Sequence, residues 1–343
     1  MMLILISIIL QIVFFILSLL LILRIITSLR KTKNSIAFMH PNAASRGGGE
    51  RVLWSMIYSL MTLPKSKNSP LKIVIYVRAD KPISLEELMS QTKDCFNIDI
   101  NTALCDTNFH PVILELVPIK SCKLADPHNY KYVTIVMEAL GSIVATLEAI
   151  LLFSPEFYID TTGYGFSLSL PKLLGCKSLA YIHYPIIQSD MIASVTESNY
   201  NNAEHIARSK WLRRMKKYYY RILLAGYRYS IHSCDKIWTN STWTCNHIGK
   251  NKASILYPPC DTFVYDEEKE NIVLSLGQFR PEKNQEVIVK SFAKANLNGF
   301  ELVMIGGCRN IEDEVRLEKL RKLAESLDIA DRVKFLPNLR GKH

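Results

Sequence analysis

No two of the eight cysteines are spaced C-x-x-C, and none sits in a cluster of histidines. A thiolate zinc site is therefore not expected, nor, in a chain this long, a disulfide framework. Scattered single thiols fit a reducing compartment. Internal repeats are absent, as are low-complexity tracts beyond the N-terminal apolar run. The charged share of 22% in 343 residues is ordinary for a globular protein, which argues against disorder. Neither the dinucleotide fingerprint G-x-G-x-x-G nor a Walker loop with its Lys-Ser/Thr pair occurs. The length suits one large domain or two ordinary ones. The formal net charge of +10 points to an anionic partner: nucleic acid, anionic lipid or a phosphorylated substrate.

Charge is also missing from Met2 to Leu23, where only Ser7, Gln11 and Ser18 interrupt the apolar residues. As a helix this stretch would span roughly 33 Å, enough for a bilayer core. A cleaved signal peptide is the competing reading, but a positive n-region and a small-residue cleavage site are not evident. Residues 1–24 are thus expected to be a transmembrane signal anchor. Arg24, Arg30, Lys31 and Lys33 follow the run, which places the remainder of the chain in the cytosol by the positive-inside rule. The sequon Asn240-Ser241-Thr242 would then go unmodified.

After the anchor, apolar β-branched runs alternate with helical patterns. Strands are expected at Ser35 to Met39, Lys72 to Arg78, Val112 to Val117, Phe157 to Asp160, Ser178 to Ile182, Lys236 to Thr239 and Ser254 to Tyr257. Helices are expected at Val52 to Met61, Ser84 to Lys93, Tyr132 to Phe153 and Phe166 to Leu174, with a further one opened by Asn240-Ser241. This alternation predicts a doubly wound α/β domain. Asp261 to Glu270 reads as a linker. A second alternation follows: strand Ile272 to Leu276, helix Asn284 to Ala295, strand Glu301 to Ile305, helix Glu312 to Leu327 and strand Arg332 to Leu336.

Five segments carry chemistry. In the first, from His40-Pro41 to Arg51, Gly47, Gly48 and Gly49 stand between a strand and a helix. Backbone can approach a ligand closely there, and the helix N-terminus offers amides to an anion. A purely structural tight turn is the alternative. In the second, His183 ends a strand, the edge where open α/β sheets bind ligands; it suits a sugar hydroxyl or a leaving phosphate, or a structural role. The third, Gly277 to Asn284, offers Arg280 and Lys283 to a diphosphate at a helix N-terminus, or to solvent. The fourth, Gly306-Gly307-Cys308, repeats the strand-end logic. The fifth, Arg208 to Arg228, forms a basic amphipathic helix, suited to an anionic membrane surface or to packing with its basic face solvated. Binding of nucleic acid is not expected, because no module for it is visible.

Taken together, HPNAASRGGGERVLW, TGYGFSLSLPKLLGCKSLAYIHYP, NSTWTCNHI, ILYPPCDT, SLGQFRPEKN and LVMIGGCRN resemble the GDP-mannose-dependent alpha-1,2-mannosyltransferases of the ER dolichol-oligosaccharide pathway. These belong to the retaining family 4 glycosyltransferases. The resemblance runs from about Ile36 to about Pro337. It implies a GT-B fold, two Rossmann-like domains facing each other, with an N-terminal acceptor domain over 35–262 and a partial donor domain over 270–343. It implies transfer of two alpha-1,2-linked mannoses from GDP-mannose to a trimannosyl-chitobiosyl pyrophosphoryl dolichol. The setting it implies is the cytosolic face of the ER membrane, in a single-pass protein, with other mannosyltransferases of the pathway as candidate partners.

The resemblance assigns Gly47, Gly48, Gly49 and Glu50 to a phosphate-facing loop and His183 to the catalytic position near the sugar. It assigns Arg280, Lys283 and Gly307 to the donor diphosphate, with no cofactor and no metal. Relatives often place arginine directly after the glycine, where this chain has Gln278. The family's donor domain continues through a glutamate-seven residues-glutamate motif, whereas this chain ends at Asn338 to His343. A catalytically inactive truncated fragment, or a non-catalytic acceptor-binding membrane protein, is the alternative expectation.

Overall fold

The computed structural model describes residues 2–64, 70–106, 108–187, 210–249, 253–260, 268–308 and 310–339. Arg208, part of the linker expected from Asp261, and the last four residues lie outside them. The chain forms two compact units, Met1–Cys260 and Asp261–His343.

Unit 1 is built on seven parallel strands: β1 (Ser35–Met39), β2 (Leu71–Arg78), β3 (Val112–Ile119), β4 (Phe157–Asp160), β5 (Lys177–Ile182), β6 (Lys236–Thr239) and β7 (Ala253–Ile255). Their order is β3-β2-β1-β4-β5-β6-β7. The order reverses between β1 and β4, so a ligand crevice is expected beyond the carboxyl ends of those strands. Near-continuous apolar runs suit strands covered on both faces. On one face Phe38, Ile73 and Ile75 pack under α2 (Gly48–Met61), α3 (Leu85–Phe96) and α4 (Ile100–Cys105). On the other, Ala37, Met39, Tyr76 and Tyr158 meet Ala145, Ala149 and Ile150 of α5 (Thr134–Leu152). Further along that second face, Ala180 and Ile182 pack with Tyr227 and Ile231 of α7 (Lys210–Ser233). The short α6 (Ser169–Leu173) and α8 (Thr242–Ile248) complete the unit.

The α3 cap follows the sequence pattern: Ser84 Oγ accepts from the Glu87 amide at 3.1 Å. The expected helix from Phe166 shrinks to α6, because Pro171 has no amide to continue a helical ladder back to Ser167. α4 was not expected; its signal is Asp99, which accepts from the Thr102 amide at 3.0 Å. A Cβ on Gly141 of α5 would lie 2.0 Å from the Leu124 carbonyl oxygen, so only glycine fits there.

The apolar helix α1 (Met2–Leu29) runs six residues past Leu23, to Leu29. Its end is tied to unit 1. Thr27 Oγ1 donates to the Leu174 carbonyl at 2.7 Å, Ser154 Oγ donates to the Thr27 carbonyl at 3.0 Å, and Lys31 Nζ donates to the Gly175 carbonyl. Both α1 and α5 are long and apolar enough to cross a membrane. However, α5 is the crossover between β3 and β4, with one side in the core.

Unit 2 holds three parallel strands, β8 (Ile272–Leu276), β9 (Glu301–Gly306) and β10 (Val333–Pro337), in the order β10-β9-β8. Its core joins Phe279, Leu302 and Met304 to Val289 and Phe292 of α9 (Gln285–Ala295) and Leu317 and Leu320 of α10 (Ile311–Ser326).

Candidate functional site

Three strand ends meet at the reversal point of unit 1: His40 after β1, Thr161 after β4 and His183 after β5. Gly47 caps α2 with extended backbone (φ −102°), and Gly48 and Gly49 form the first helical turn. None of the three glycines has a positive φ. Their value is therefore the missing side chain rather than an unusual backbone. A Cβ on Gly48 would meet nothing within 4 Å, and one on Gly49 would come 3.7 Å from His183 Nε2. The first-turn amides of Gly48 and Gly49 have no intrahelical acceptor, as at every helix start.

Glu50 holds the turn. Its Oε2 accepts from the Gly47 amide at 2.8 Å and its Oε1 from His40 Nε2 at 3.0 Å. With Nε2 donating, His40 Nδ1 accepts from the Thr161 hydroxyl at 2.9 Å. Burial opposes the charge on Glu50, but the hydrogen bonds it accepts from His40 and the Gly47 amide hold its pKa below the ordinary carboxylate value. Burial, and next the nearby His40, hold the His183 pKa below that of a free imidazole, against a hydrogen bond to the Thr161 backbone. That bond leaves Nε2 of a neutral His183 as an acceptor. The atom is buried and has no partner, an arrangement that costs about 1–3 kcal/mol if nothing ever fills it.

Asp160 shapes the next loop. Buried at the end of β4, it accepts from the amides of Thr162 at 3.2 Å and of Gly163 at 3.2 Å and 3.3 Å. Burial raises its pKa to about 7, with those amides working against the rise.

The four predicted glycine-loop residues and His183 thus come together on one strand edge. His40, Thr161 and Asp160 were missed as functional residues. The sequence marked His40 only as the start of the glycine segment, since Thr161 stands 121 residues away. A buried aspartate closing a strand was the available signal for Asp160.

In unit 2 the loops after β8 and β9 lace together. The Phe279 amide donates to the Gly307 carbonyl at 3.1 Å, and the Cys308 amide donates to Asn338 Oδ1 at 2.9 Å. A Cβ on Gly306 would strike the Gly277 carbonyl at 2.0 Å, so glycine permits this approach. Gln285 Nε2 donates to the Gln278 carbonyl at 2.9 Å and fixes the loop from the start of α9. Pro281–Lys283 form one 3-10 turn before Asn284, at φ 45°, enters α9. Lys283 is exposed, and its stem lies beside Gly277. Arg280 is half-buried, 3.7 Å from Glu282, and its Nε is buried without a partner. Gln278 lies against Gly307. Arg280, Lys283 and Gly307 therefore share adjoining strand ends.

A cavity of a different kind lies away from these strand ends. It is an apolar groove of about 480 Å³ between α2 and β4, β5 and β6, lined by Met56, Leu60, Tyr181 and Trp238 among others. Its lining is mostly apolar, whereas the strand ends gather the buried polar groups.

Residues 33–251 match the family model described as ALG11 mannosyltransferase N-terminus, and residues 262–342 match glycosyl transferases group 1. The chain is 35% identical over 332 residues to the mouse GDP-Man:Man(3)GlcNAc(2)-PP-Dol alpha-1,2-mannosyltransferase, covering 90% of this chain and 64% of that one. The human protein of that name is 34% identical, with 92% and 66% covered. The Caenorhabditis elegans one is 31% identical, with 89% and 67% covered. The chain thus spans about two thirds of the length of these relatives. Among solved structures, a UDP-forming alpha,alpha-trehalose-phosphate synthase from Burkholderia xenovorans superposes with a TM-score of 0.53 at 8% identity, covering 91% of this chain and 74% of that one. At that identity the likeness concerns the fold alone: the parallel α/β architecture of GT-B glycosyltransferases.

Proposed function

The chain belongs to the ALG11 mannosyltransferase N-terminus family, and from that premise we propose that it is a retaining alpha-1,2-mannosyltransferase. Its donor would be GDP-mannose. Its acceptor would be the dolichol-pyrophosphate-linked trimannosyl-chitobiose named in its relatives' titles. One observation carries the reading beyond family membership: an open glycine turn and the unpaired Nε2 of His183 share the reversal point of the unit 1 sheet.

The chemistry is electrostatic. Departure of GDP leaves negative charge on a diphosphate, which preorganised amides and cations stabilise. Arg280, Lys283 and the backbone around Gly307 supply those groups in unit 2, with no metal required of them. Gly47, Gly48 and Gly49 leave room for a phosphate at the start of α2, and Glu50 with His40 keeps the turn in shape. His183, neutral near pH 7, accepts a hydrogen bond from a sugar hydroxyl through Nε2. Front-face attack, the route expected of the family, accounts for retention without a covalent intermediate. The α1 helix holds the protein in the ER membrane with both units in the cytosol.

The test is turnover. The purified chain with GDP-mannose and a lipid-linked trimannosyl acceptor should form mannosylated product, and UDP-sugars should not substitute. Absence of both product and calorimetric GDP-mannose binding would sink the enzymatic reading and leave a non-catalytic acceptor-binding membrane protein.

A further inference from the structure

Thr161 serves both histidines of the unit 1 site. Its hydroxyl lies 2.9 Å from His40 Nδ1. Its backbone takes the hydrogen bond of His183, through Nδ1, because His183 Nε2 has no partner. The hydroxyl has a single proton to give. The Met39 carbonyl is 3.4 Å away and already takes the Thr161 amide at 3.3 Å, so His40 is the better-placed acceptor. Thr161 is 1% exposed and His40 3%, so a bond lost between them would leave a polar atom bare and cut off from solvent.

These bonds form a circuit. The Gly47 amide and His40 Nε2 donate to the Glu50 carboxylate, the Thr161 hydroxyl donates to His40 Nδ1, and His183 donates to the Thr161 backbone. The circuit closes on the turn where it began: a Cβ on Gly49 would come 3.7 Å from His183 Nε2. Other neighbours also restrain His183. Thr244 Oγ1 donates to its carbonyl at 3.3 Å, and the Tyr181 ring stands edge-on to the imidazole with centroids 4.8 Å apart. Neither decides which ring nitrogen carries the proton. In a neutral imidazole that choice belongs to the hydrogen-bond partner, which here is Thr161.

We propose that Thr161 and His40 are positioning residues for His183. The Thr161 carbonyl keeps the proton on Nδ1, and the bond to His40 keeps that carbonyl in place relative to the glycine turn. Nε2 then meets the ligand as an acceptor at a fixed distance from the turn. With the proton on Nε2 the same ring would be a donor, and a sugar hydroxyl would have to present a lone pair instead of its proton. The proposal rests on the reading of His183 as the sugar-facing residue of a mannosyltransferase.

The experiment compares Thr161→Val, which keeps the shape and loses the hydroxyl, with Thr161→Ser, which keeps the hydroxyl. In mannosyl transfer by the full chain, Thr161→Val is expected to lower kcat about 10-fold with the KM for GDP-mannose unchanged, and Thr161→Ser to restore it. In a His183→Ala background Thr161→Val should cost nothing more, because the residue it positions is gone. A second readout needs no turnover: nitrogen magnetic resonance of the full chain in detergent micelles, isotope-labelled on its histidines, with the His183 signals assigned by their loss in His183→Ala. The parent chain should show one neutral form, protonated at Nδ1, and Thr161→Val a mixture of both neutral forms. His40→Asn, whose side-chain oxygen still accepts from Thr161, should retain the single form, whereas His40→Ala should not; this pair reads the same link should Thr161→Val not fold. An equal loss of rate from Thr161→Val with and without His183 overturns the proposal in favour of a purely structural threonine. So does a parent His183 protonated at Nε2, or a His183 spectrum that neither Thr161→Val nor His40→Ala alters. The expected spectra in a parent chain without transfer would sink the mannosyltransferase reading and support the positioning of His183.

Discussion

The two units prepare their strand ends differently. In unit 1 the polar groups are buried and bonded to one another: Glu50 to Gly47 and His40, His40 to Thr161, and Asp160 to the loop it closes. Among the described residues at these strand ends, the buried His183 Nε2 is left without a partner. In unit 2 backbone holds backbone through Gly277, Phe279, Gly306 and Gly307, while Lys283 reaches into solvent. One site is preorganised by buried side chains, the other mainly by main chain, with Gln285 and Asn338 as side-chain ties and Lys283 exposed beside it. A buried network tolerates little change, whereas a point charge on a flexible stem can be removed at a smaller cost.

Four outcomes would break or sharpen that contrast. The largest effect is expected from Gly48→Val. Its Cβ meets nothing in the protein, so melting temperature and membrane association should persist. Mannosyl transfer should fall by more than about 100-fold, because the branch occupies ground meant for phosphate. Unchanged transfer would remove the glycine turn from the mechanism. Next comes His183→Ala, for which loss of the sugar contact should reduce kcat by about 10²-fold or more while calorimetric GDP-mannose binding stays intact. Equal loss of donor binding would mean that the two sites are not separable in this way. Lys283→Ala should raise the KM for GDP-mannose about 10-fold, with the fold unaltered; an unchanged KM would place that side chain in solvent only.

The smallest effect is in pH. The His183 pKa is lowered, so between that value and the ordinary one of about 6.5 the unfolded chain takes a proton that the native state refuses. Native stability therefore falls as pH drops below about 6.5, and Glu50 adds to the loss at lower pH. Asp160 works in the opposite direction. Raised from 3.8 to about 7, it keeps its proton in the native state after the unfolded chain has released one. Its contribution declines as pH rises through that window. Thermal melts of Asp160→Asn across that range should be flatter on the alkaline side than those of the parent chain. Identical slopes would show that Asp160 is ionised in the native protein.

Much of this architecture is legible along the chain. Runs such as KIVIYVR announce parallel strands, Ser84 with Glu87 announces a cap, and the glycines after β1 announce close approach. These signals act over a few residues, within reach of steric and hydrogen-bonding rules. The Arg208 to Arg228 stretch reads as an amphipathic helix, suited to an anionic membrane surface or to packing with its basic face solvated, and how much of its apolar side would pack was open. Leu223 and Tyr227 went to the core; Trp211 and Ile222, just as apolar, did not.

By itself, then, the sequence determined the alternation of strands and helices, the apolar N-terminal helix and the placement of glycines at strand ends. Only the tertiary structure decided that His40 would bond Glu50 and Thr161, that His183 would keep an unpaired nitrogen beside Gly49, and that Trp211 and Ile222 of α7 would stay exposed. The reason is physical. Local patterns set backbone conformation, whereas the partners of a buried polar group are chosen by the order in which parallel strands assemble. That order brought the end of β1 to those of β4 and β5, which follow it more than a hundred residues later in the chain.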